Sequence, residues 1–398
     1  MRGFERRLAL IALAGLVVRV AYAIHNRHYV VQGDALTFHL EGGYVADGQG
    51  FHNITDGART AEHPPLHILV IALIDLLGGH SFAAQKIALG FVGTGTVVLI
   101  GLCGRLLGSE ALGLTAAAVA ALYPMLWLAD GSLMSETTYA LLVSAALLCA
   151  LAYRRSPSAR LAAALGALIA LAGLTRGEGL ALLVFLALPL AWRRWRHLAL
   201  AGAAAVVVLA PWTIRNLAAF DKPFVISTNG EAIWAGANCQ RTYYTDQIGA
   251  WVFACYGPRP AGDESEQALV YRDRGLRYMR HHSGRLPAVV AARLGRLWDV
   301  YRPWTQGTFF SATEGRRPRA THVALIVYWL LLPLAIAGAL LLRRRRRELW
   351  ILLAPVLMVT HVAAATYGTT RFRMAAEPSI VLLAAVALQA AARRVRPR

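Results

Sequence analysis

Charged side chains are scarce in this sequence. Only 16% of its 398 residues are Asp, Glu, Lys or Arg, while 57% are hydrophobic, and the mean hydropathy is +0.47. Such a chain cannot keep its apolar surface inside a soluble core, so the composition indicates a helical protein that crosses a membrane many times. The apolar runs are continuous and lack period-two alternation, which excludes a transmembrane β-barrel.

Motifs that would indicate nucleotide or metal chemistry are missing. No Gly-rich phosphate loop with Lys and Ser or Thr is present, so ATP-driven transport is unsupported. No Cys/His set has the spacing of metal ligands, and the sequence predicts neither a metal nor another cofactor. The net charge of +19 does not indicate nucleic acid, because the Arg residues cluster in short tracts between apolar runs, as membrane topology signals do.

Ten apolar stretches approach the roughly 20 residues that a bilayer core requires. Arg tracts follow several of them, and such tracts stay on the cytoplasmic side of a membrane. Counting the crossings places both termini in the cytoplasm of a plasma-membrane protein, provided that segment 65–78 lies along the outer interface as a helix. The predicted spans are 8–25, 83–106, 109–129, 133–153, 159–175, 177–192, 197–214, 321–342, 349–366 and 374–392.

These spans divide the chain into three predicted regions. The N-terminal transmembrane catalytic module covers 1–216 and contains a first outer loop at 26–82 with interfacial helices. An extracytoplasmic cap covers 217–320, and C-terminal transmembrane helices cover 321–398. Apolar residues recur at helical spacing in 264–302, so the cap is expected to be mostly helical. The predicted fold class is therefore an all-α integral membrane protein with about ten transmembrane helices.

The cysteines fall into two groups. Cys239 and Cys255 lie in the predicted cap, on the oxidising side of the membrane, where an even pair favours a disulfide. Two unpaired thiols are the alternative. Cys103 and Cys149 fall inside predicted spans and are expected to be packing residues.

Unusual charged residues occur at or near the predicted outer ends of the spans. Charged groups at such a depth pair with one another or face a wet cavity. Carboxylates and Arg together suit transfer from a phosphorylated donor: a carboxylate can take the proton of an acceptor hydroxyl, and Arg can bind the departing phosphate. In the first outer loop, His39, His63 and His67 are expected to border the substrate groove. The charged candidates are Asp34, Glu136, Arg176, Glu178, Arg215, Arg371 and Arg373.

Short motifs surround these charges. In chain order they are Gly33-Asp34, His63-Pro64-Pro65-Leu66, Glu136, Leu174-Thr175-Arg176-Gly177-Glu178-Gly179, Pro211-Trp212-Thr213-Ile214-Arg215-Asn216 and Arg371-Phe372-Arg373. Their order resembles that of the GT-C glycosyltransferases. More narrowly, it is similar to bacterial members of the protein O-mannosyltransferase and lipid A aminoarabinose transferase group.

The resemblance implies a GT-C fold and inverting transfer of a sugar from a polyprenyl-phosphate donor. The acceptor would be a lipid, a polysaccharide or a protein on the outer face of the bilayer. By the resemblance, Asp34 positions or deprotonates the acceptor and Glu136 is a second catalytic acid. Glu178 is expected in the substrate groove with the histidines. The expected donor phosphate-binding residues are Arg176, Arg215, Arg371 and Arg373.

Other interpretations stay open at this point. Asp34 could cap an interfacial helix, and Glu136 could be a partner of a helix dipole. Arg176 could simply pair with Glu178, and Arg215 could anchor a span at the interface. A transporter or flippase would place acids near the bilayer midplane and have broken helices in matched halves. The charges here lie at one predicted face, and the sequence shows no matching halves. A non-catalytic assembly subunit would use the outer charges for docking.

Overall fold

A computed structural model describes residues 2–29 and 32–395, and most of them are helical. In chain order the helices are α1 (Arg2–His25), α2 (Asp34–Ala46), α3 (Pro65–Leu76), α4 (Phe82–Leu107), α5 (Glu110–Leu122), α6 (Pro124–Asp130), α7 (Glu136–Arg155), α8 (Ala159–Thr175), α9 (Leu188–Ala191), α10 (Trp195–Ala219), α11 (Asn229–Ala237), α12 (Gln240–Tyr244), α13 (Glu264–His281), α14 (Leu286–Leu297), α15 (Pro303–Thr313), α16 (Pro318–Leu342), α17 (Arg346–Ala365) and α18 (Glu377–Val395). The 3-10 and π-helical segments are Gly177–Ala181, Leu183–Ala187, Phe253–Cys255, Ser283–Arg285 and Thr370–Ala375.

Eight of the ten predicted spans each coincide with one α-helix, whereas 109–129 is divided between α5 and α6 and 177–192 is an interrupted segment of 3-10, π and α-helix. The prediction of an all-α membrane protein is confirmed. Within the described ranges, six helices are each long and apolar enough to cross a bilayer: α1, α4, α7, α10, α16 and α17. The pair α5 and α6 is a seventh candidate, bent by 56° where Pro124 follows Tyr123. Helix α8 and the interrupted segment Gly177–Ala191 are apolar but shorter.

Glycines let several of the spans approach one another closely. Gly166 in α8 lies against the backbone of Ala201 in α10, and Gly338 in α16 lies against the backbone of Leu383 in α18. A Cβ at either glycine would overlap that backbone. Helices in a bilayer gain little from the hydrophobic effect, so such close contacts are a main source of their association.

Segment 26–82, which the sequence predicts to be the first outer loop and which keeps that name here, contains two short helices that pack on each other. Gly33 has φ 59°, a left-handed conformation that favours glycine, and it turns the chain so that Asp34 begins α2. Pro65 is the first residue of α3, where a backbone N–H would have no acceptor within the helix, so proline is tolerated there. At the contact, Gly42 of α2 leaves room for the Ile71 side chain of α3. The predicted short helix over 65–78 is therefore present.

Helices α11 to α15 lie in region 217–320, for which the sequence predicts a cap, and we keep that name for them. Cys239 and Cys255 are joined by a disulfide within it. Arg293 of α14 is buried and donates hydrogen bonds to the carbonyl oxygens of Ala237, at 3.3 Å, and Ala364, at 3.1 Å. These bonds attach the cap to the end of α17.

Two helices connect the opposite surfaces of the molecule. Helices α7 and α17 each contain 20 residues, a length of ~28 Å that is close to the ~30 Å thickness of a bilayer core. The start of α7 and the end of α17 lie beside the first outer loop and the cap. Their other ends carry Arg154, Arg155, Arg346 and Arg347. The two charged ends of the molecule are thus separated by about one bilayer.

Candidate active site

Arg371 is the centre of a cluster of charges below the cap. It lies on the 3-10 segment Thr370–Ala375, which joins α17 to α18. Its Nη1 is 2.7 Å from Asp34 Oδ2, and its Nε is 2.5 Å from Glu136 Oε1. Glu314 Oε1 lies 3.8 Å from the same Nε. One guanidinium therefore joins the first outer loop, the start of α7 and the end of the cap.

Arg176 is a second guanidinium partner of Glu136 and contacts the same carboxylate oxygen as Arg371. It follows α8 directly, and its Nη1 and Nε are 3.1 Å from Glu136 Oε1 and 2.7 Å from Glu178 Oε1. The Glu136 side chain is fully buried, and its two Arg partners supply the positive charge that a buried carboxylate requires. Its Oε2 has no hydrogen-bond partner among the described residues. Glu136 thus holds two guanidinium groups side by side.

His63 lies next to the second carboxylate of the cluster. Its Nε2 is 3.7 Å from Asp34 Oδ1, and its ring contacts the Phe38 ring edge-on, with centroids 4.9 Å apart. Burial alone would lower the pKa of His63, but the Asp34 carboxylate outweighs it and raises the pKa to about 9. Burial acts to raise the pKa of Asp34, yet the charge of Arg371, followed by that of His63, holds it well below its usual value. Both groups are therefore ionised near neutral pH.

Two cavities meet at this cluster. The first, which we call the inner chamber, has a volume of about 350 Å³ and lies between Arg176, Glu178 and the last turn of α17. The second, the outer chamber, has a volume of about 600 Å³ and lies between α2 and the cap. Residues that border both chambers include Asp34, His63, Asn229, Ile233, Tyr367 and Arg371. The charged cluster is consequently the junction of the two chambers.

The two chambers have different walls. In the inner chamber, the basic Arg176 and Arg371 face a wall of α17 that includes His361, Val362 and Ala365. In the outer chamber the walls combine acidic and aromatic side chains. These are Glu41, Glu62, Glu264, Trp251, Phe253, Tyr256 and Tyr271. One chamber is suited to a phosphate with an apolar tail, and the other to a hydroxylated molecule with apolar faces.

Glu41 is unusual among the acids of the outer chamber. The residue is 1% exposed, and its Oε2 has no hydrogen-bond partner in the described part of the chain. Burial raises its pKa to about 7. In contrast, both carboxylate oxygens of Glu264 have hydrogen-bond partners. They accept hydrogen bonds from the Thr60 and Thr228 hydroxyls, both at 2.6 Å, and from the Ala61 N–H. Glu264 therefore fixes the chamber wall, whereas Glu41 has an oxygen left for a ligand.

The structure brings five of the predicted residues to the chambers: Asp34, His63, Arg176, Glu178 and Arg371, with Glu136 directly behind them. The other predicted histidines lie elsewhere. His39 shares a hydrogen bond of 2.8 Å with the Gln85 side chain. His67 is completely buried: Nδ1 accepts from the Thr138 hydroxyl at 2.9 Å, and Nε2 donates to the Leu133 carbonyl oxygen at 3.2 Å. Neither ring borders a chamber.

Two predicted arginines also lie outside the chambers. Arg373 is 0% exposed and is paired with Asp299 at 2.6 Å and Glu377 at 2.7 Å, with the Tyr328 ring 3.5 Å from its guanidinium carbon. Arg215 stacks on Trp212, with its guanidinium carbon 4.9 Å from the ring centroid. Because residues 371 and 373 are on one tight turn, their side chains point in different directions. Only the first reaches the cavity.

Sequence reasoning missed Glu41, Glu314 and Tyr367. Glu41 follows Asp34 by seven positions, so both lie on one face of α2, and this spacing was a usable signal. Glu314 precedes α16 at the same surface as the other charges and pairs with Arg316 at 3.1 Å. Nothing in the sequence distinguishes Tyr367 from the other tyrosines of the chain.

Comparison with known proteins identifies the fold. No family model matches this chain, and no curated protein matches it in sequence. Among solved structures, the archaeal oligosaccharyltransferase AglB from Archaeoglobus fulgidus, in complex with an inhibitory peptide and a dolichol-phosphate, has a TM-score of 0.56 at 14% identity over 96% of this chain. The apo form of the Archaeoglobus fulgidus enzyme gives 0.54. The chain has the GT-C fold.

This GT-C chain spans about half the length of the archaeal enzyme, 50% of it in the first comparison. ArnT from Cupriavidus metallidurans, bound to undecaprenyl phosphate, is also similar, with a TM-score of 0.44 and 17% identity over 98% of this chain and 78% of that one. The likeness to the archaeal enzyme, at 14% identity, establishes the architecture alone. The chemistry has to be argued from the residues at the chamber junction.

Proposed function

We propose that this protein is a membrane glycosyltransferase that moves a sugar from a polyprenyl-phosphate donor to an acceptor hydroxyl, with inversion. The observation that carries the proposal is the junction itself. There, Asp34 lies 2.7 Å from Arg371, so a proton acceptor and a phosphate-binding cation border one connected space. In the proposed orientation, the junction lies on the outer face of the plasma membrane and both termini are cytoplasmic.

The inner chamber is the proposed donor site. Arg176 and Arg371 each use Nε and Nη1 on carboxylates, and among the described residues no hydrogen bond comes from either Nη2. These two groups are available for the donor phosphate. The wall formed by His361, Val362 and Ala365 belongs to a spanning helix, which gives the polyprenyl chain a path from the bilayer.

The outer chamber is the proposed acceptor site. Its aromatic side chains provide surfaces for the apolar faces of sugar rings, while Glu41 and Glu62 accept hydrogen bonds from hydroxyl groups. The two arginines that border this chamber already have carboxylate partners, since Arg259 pairs with Asp56 and Arg371 with Asp34. We therefore favour an uncharged saccharide as the acceptor over a phosphate-bearing one.

The reaction is a single displacement. The acceptor hydroxyl oxygen attacks the anomeric carbon from the face opposite the phosphate and forms the new glycosidic bond. The bond from the anomeric carbon to the phosphate oxygen breaks, and its electron pair leaves with the polyprenyl phosphate, whose charge Arg176 and Arg371 stabilise. Asp34 receives the hydroxyl proton as the new bond forms and passes it to water in the outer chamber.

The two guanidinium groups supply the positive charge that a divalent cation would otherwise supply to the phosphate, so we propose that no metal is required. A group of acids that could bind a metal, Asp221, Asp263 and Glu266, lies outside both chambers. Two of them already have partners: Glu266 pairs with Lys222 at 3.5 Å, and the Asp263 side chain accepts from the backbone N–H of Glu266. Transfer that persists undiminished in a chelator is the expected result.

The test uses the purified full-length protein with radiolabelled polyprenyl-phosphate sugars, mannose among them, and neutral saccharide acceptors. Wild type should form glycoside, and Asp34→Asn should lose turnover while still binding polyprenyl phosphate. Asp56→Asn is the matched control, because Asp56 is another paired carboxylate, 2.8 Å from Arg259, and lines neither chamber. A wild-type protein that does not bind polyprenyl phosphate would refute the proposal.

The same assay separates the rival functions. A flippase would move lipid-linked sugar across vesicles without forming glycoside, and Asp34→Asn would leave that movement intact. A non-catalytic assembly subunit would show no product with any donor. Retained configuration at the anomeric carbon would contradict the single displacement.

A further inference from the structure

A second charged cavity lies at the surface opposite the chambers. It has a volume of about 590 Å³ and is formed where the connections α7–α8, α9–α10 and α16–α17 come together. We call it the basic cleft. Six of its lining residues are arginines: Arg154, Arg155, Arg193, Arg194, Arg346 and Arg347.

The positive charge of the basic cleft has no counter-charge within the described part of the protein. No Asp or Glu lines the cleft there, and none of its six arginines is in an ion pair with an acid. The nearby Glu348 is 3.5 Å from Arg345, which is not in the lining. The buried Nε of Arg154 has no hydrogen-bond partner. Arg154 is half-buried and the other five arginines are exposed, so together they give the cleft a positive potential that attracts anions.

Topology alone does not account for this arrangement. Arginines that only mark the cytoplasmic side need to be near the ends of spans, and they can point outward into water. Here the three tracts converge on one concave surface. The exposed Arg6 and Arg7 at the start of α1 show the alternative, since they lie at the same surface and border no part of the cleft.

The other walls of the cleft are apolar and aromatic. Leu190, Trp192, Trp350 and Ile351 are among the remaining lining residues, and Trp192 is 69% exposed. Tryptophan with this exposure at the end of a span is typical of the boundary between headgroups and acyl chains. The cleft therefore adjoins the bilayer, with its cations at headgroup level and its apolar wall beside the chains.

We propose that the basic cleft binds the headgroup of an anionic phospholipid from the leaflet opposite the active site. The arginines would bind the phosphodiester, and Trp192 and Trp350 would contact the glycerol and the first acyl carbons. Basic pockets between spanning helices suit such headgroups, whereas a free phosphate would leave the apolar wall unused. The bound lipid offsets the positive charge of the cleft and links the three connections.

The test measures the binding of radiolabelled phosphatidylglycerol to the full-length protein in mixed micelles of phosphatidylcholine and detergent. Wild type should bind it saturably, and Arg193→Gln with Arg346→Gln should weaken it by about thirty-fold, the expected effect of two basic contacts at a membrane surface. Arg6→Gln with Arg7→Gln, a matched pair at the same surface, should bind as wild type does. Equal binding by all three proteins would overturn the proposal.

Two further arms make the result unambiguous. Excess inorganic phosphate should not displace the lipid, and full displacement would show that the cleft is a general anion site and not a lipid site. If the glutamine pair does not fold, Arg193→Lys with Arg346→Lys retains the charge but loses bidentate geometry. The lysine variant should bind the lipid more weakly than wild type does. An affinity equal to that of wild type would count against the proposed phosphodiester contacts. None of these measurements depends on sugar transfer.

Discussion

Arg371→Gln is the substitution that tests the junction most directly. The guanidinium carries two close ion pairs, to Asp34 at 2.7 Å and to Glu136 at 2.5 Å. Asp34 is 38% exposed at its side chain and can turn to water, while Glu136 is fully buried but keeps Arg176 at 3.1 Å. We therefore expect a cost near the lower end of the range for a broken buried pair, about 3 kcal/mol of the free energy of unfolding.

The effect on turnover should be larger than the effect on folding. If Arg371 stabilises the leaving phosphate, its loss should lower kcat by about 10²- to 10³-fold, as the loss of one strong donor to a developing anion does. The pKa of Asp34 should also rise, because burial would no longer be opposed by the strongest nearby positive charge. The acidic limb of the pH–rate profile should move to higher pH. Both quantities are measured by transfer assays across pH.

Arg373→Gln is the matched control. Arg373 is equally buried and pairs with Asp299 and Glu377, so its loss should destabilise the protein at least as strongly. However, it borders neither chamber, and turnover per folded molecule should stay within about threefold of wild type. A kcat for Arg371→Gln near the wild-type value would refute the reasoning. So would a catalytic defect of Arg373→Gln comparable with that of Arg371→Gln.

Three other predictions concern groups near the chambers. The ion pair between His63 and Asp34 should stabilise the protein fully below pH 6.5 and lose its effect as pH rises through about 9, so unfolding temperatures of wild type and His63→Gln should converge above that pH. A buried carboxyl with a pKa of about 7 opposes folding once it is ionised, so Glu41→Gln should lower the free energy of unfolding least, or even raise it, above pH 7. The KM of this variant for a saccharide acceptor should rise by about three- to tenfold, because one hydrogen bond is lost. An unchanged KM would remove Glu41 from the acceptor site. Replacing both Cys239 and Cys255 by Ser should cost about 3 kcal/mol of the free energy of unfolding, the amount expected for a loop of about 15 residues, and dithiothreitol should lower the unfolding temperature of wild type but not of this variant.

The sequence alone was sufficient for the helices and for the region of the site. Every predicted span is helical because apolar runs of this length have few alternatives in a bilayer, but the bend at Pro124 and the interruptions within Gly177–Ala191 were not predicted. Counting crossings put Asp34, Glu136, Arg176 and Arg371 on one face, and in the structure these four side chains are within ion-pair distance of one another in a chain of contacts. Successive spans cross the bilayer in alternating directions, so their ends meet at the same face even when they are far apart in sequence.

The sequence did not predict the direction in which individual side chains point. Arg371 and Arg373 are two positions apart and equally basic, yet one borders the cavity and the other is enclosed by Asp299 and Glu377. His63 and His67 lie on either side of the start of α3, and only His63 faces Asp34. Such differences depend on the rotation of a turn or a helix start, which is fixed by packing with distant elements.

The meeting of the two chambers at one junction has a consequence for fidelity. In the proposed reaction, a donor bound in the inner chamber places its anomeric carbon beside Asp34, and that residue also borders the larger outer chamber. While no acceptor is present, water occupies the outer chamber, and a water molecule beside Asp34 is itself a nucleophile. We expect the protein to hydrolyse its donor slowly when the acceptor is scarce, releasing free sugar and polyprenyl phosphate. The yield of glycoside per donor consumed would then depend on how fully the acceptor fills the space that water would otherwise take.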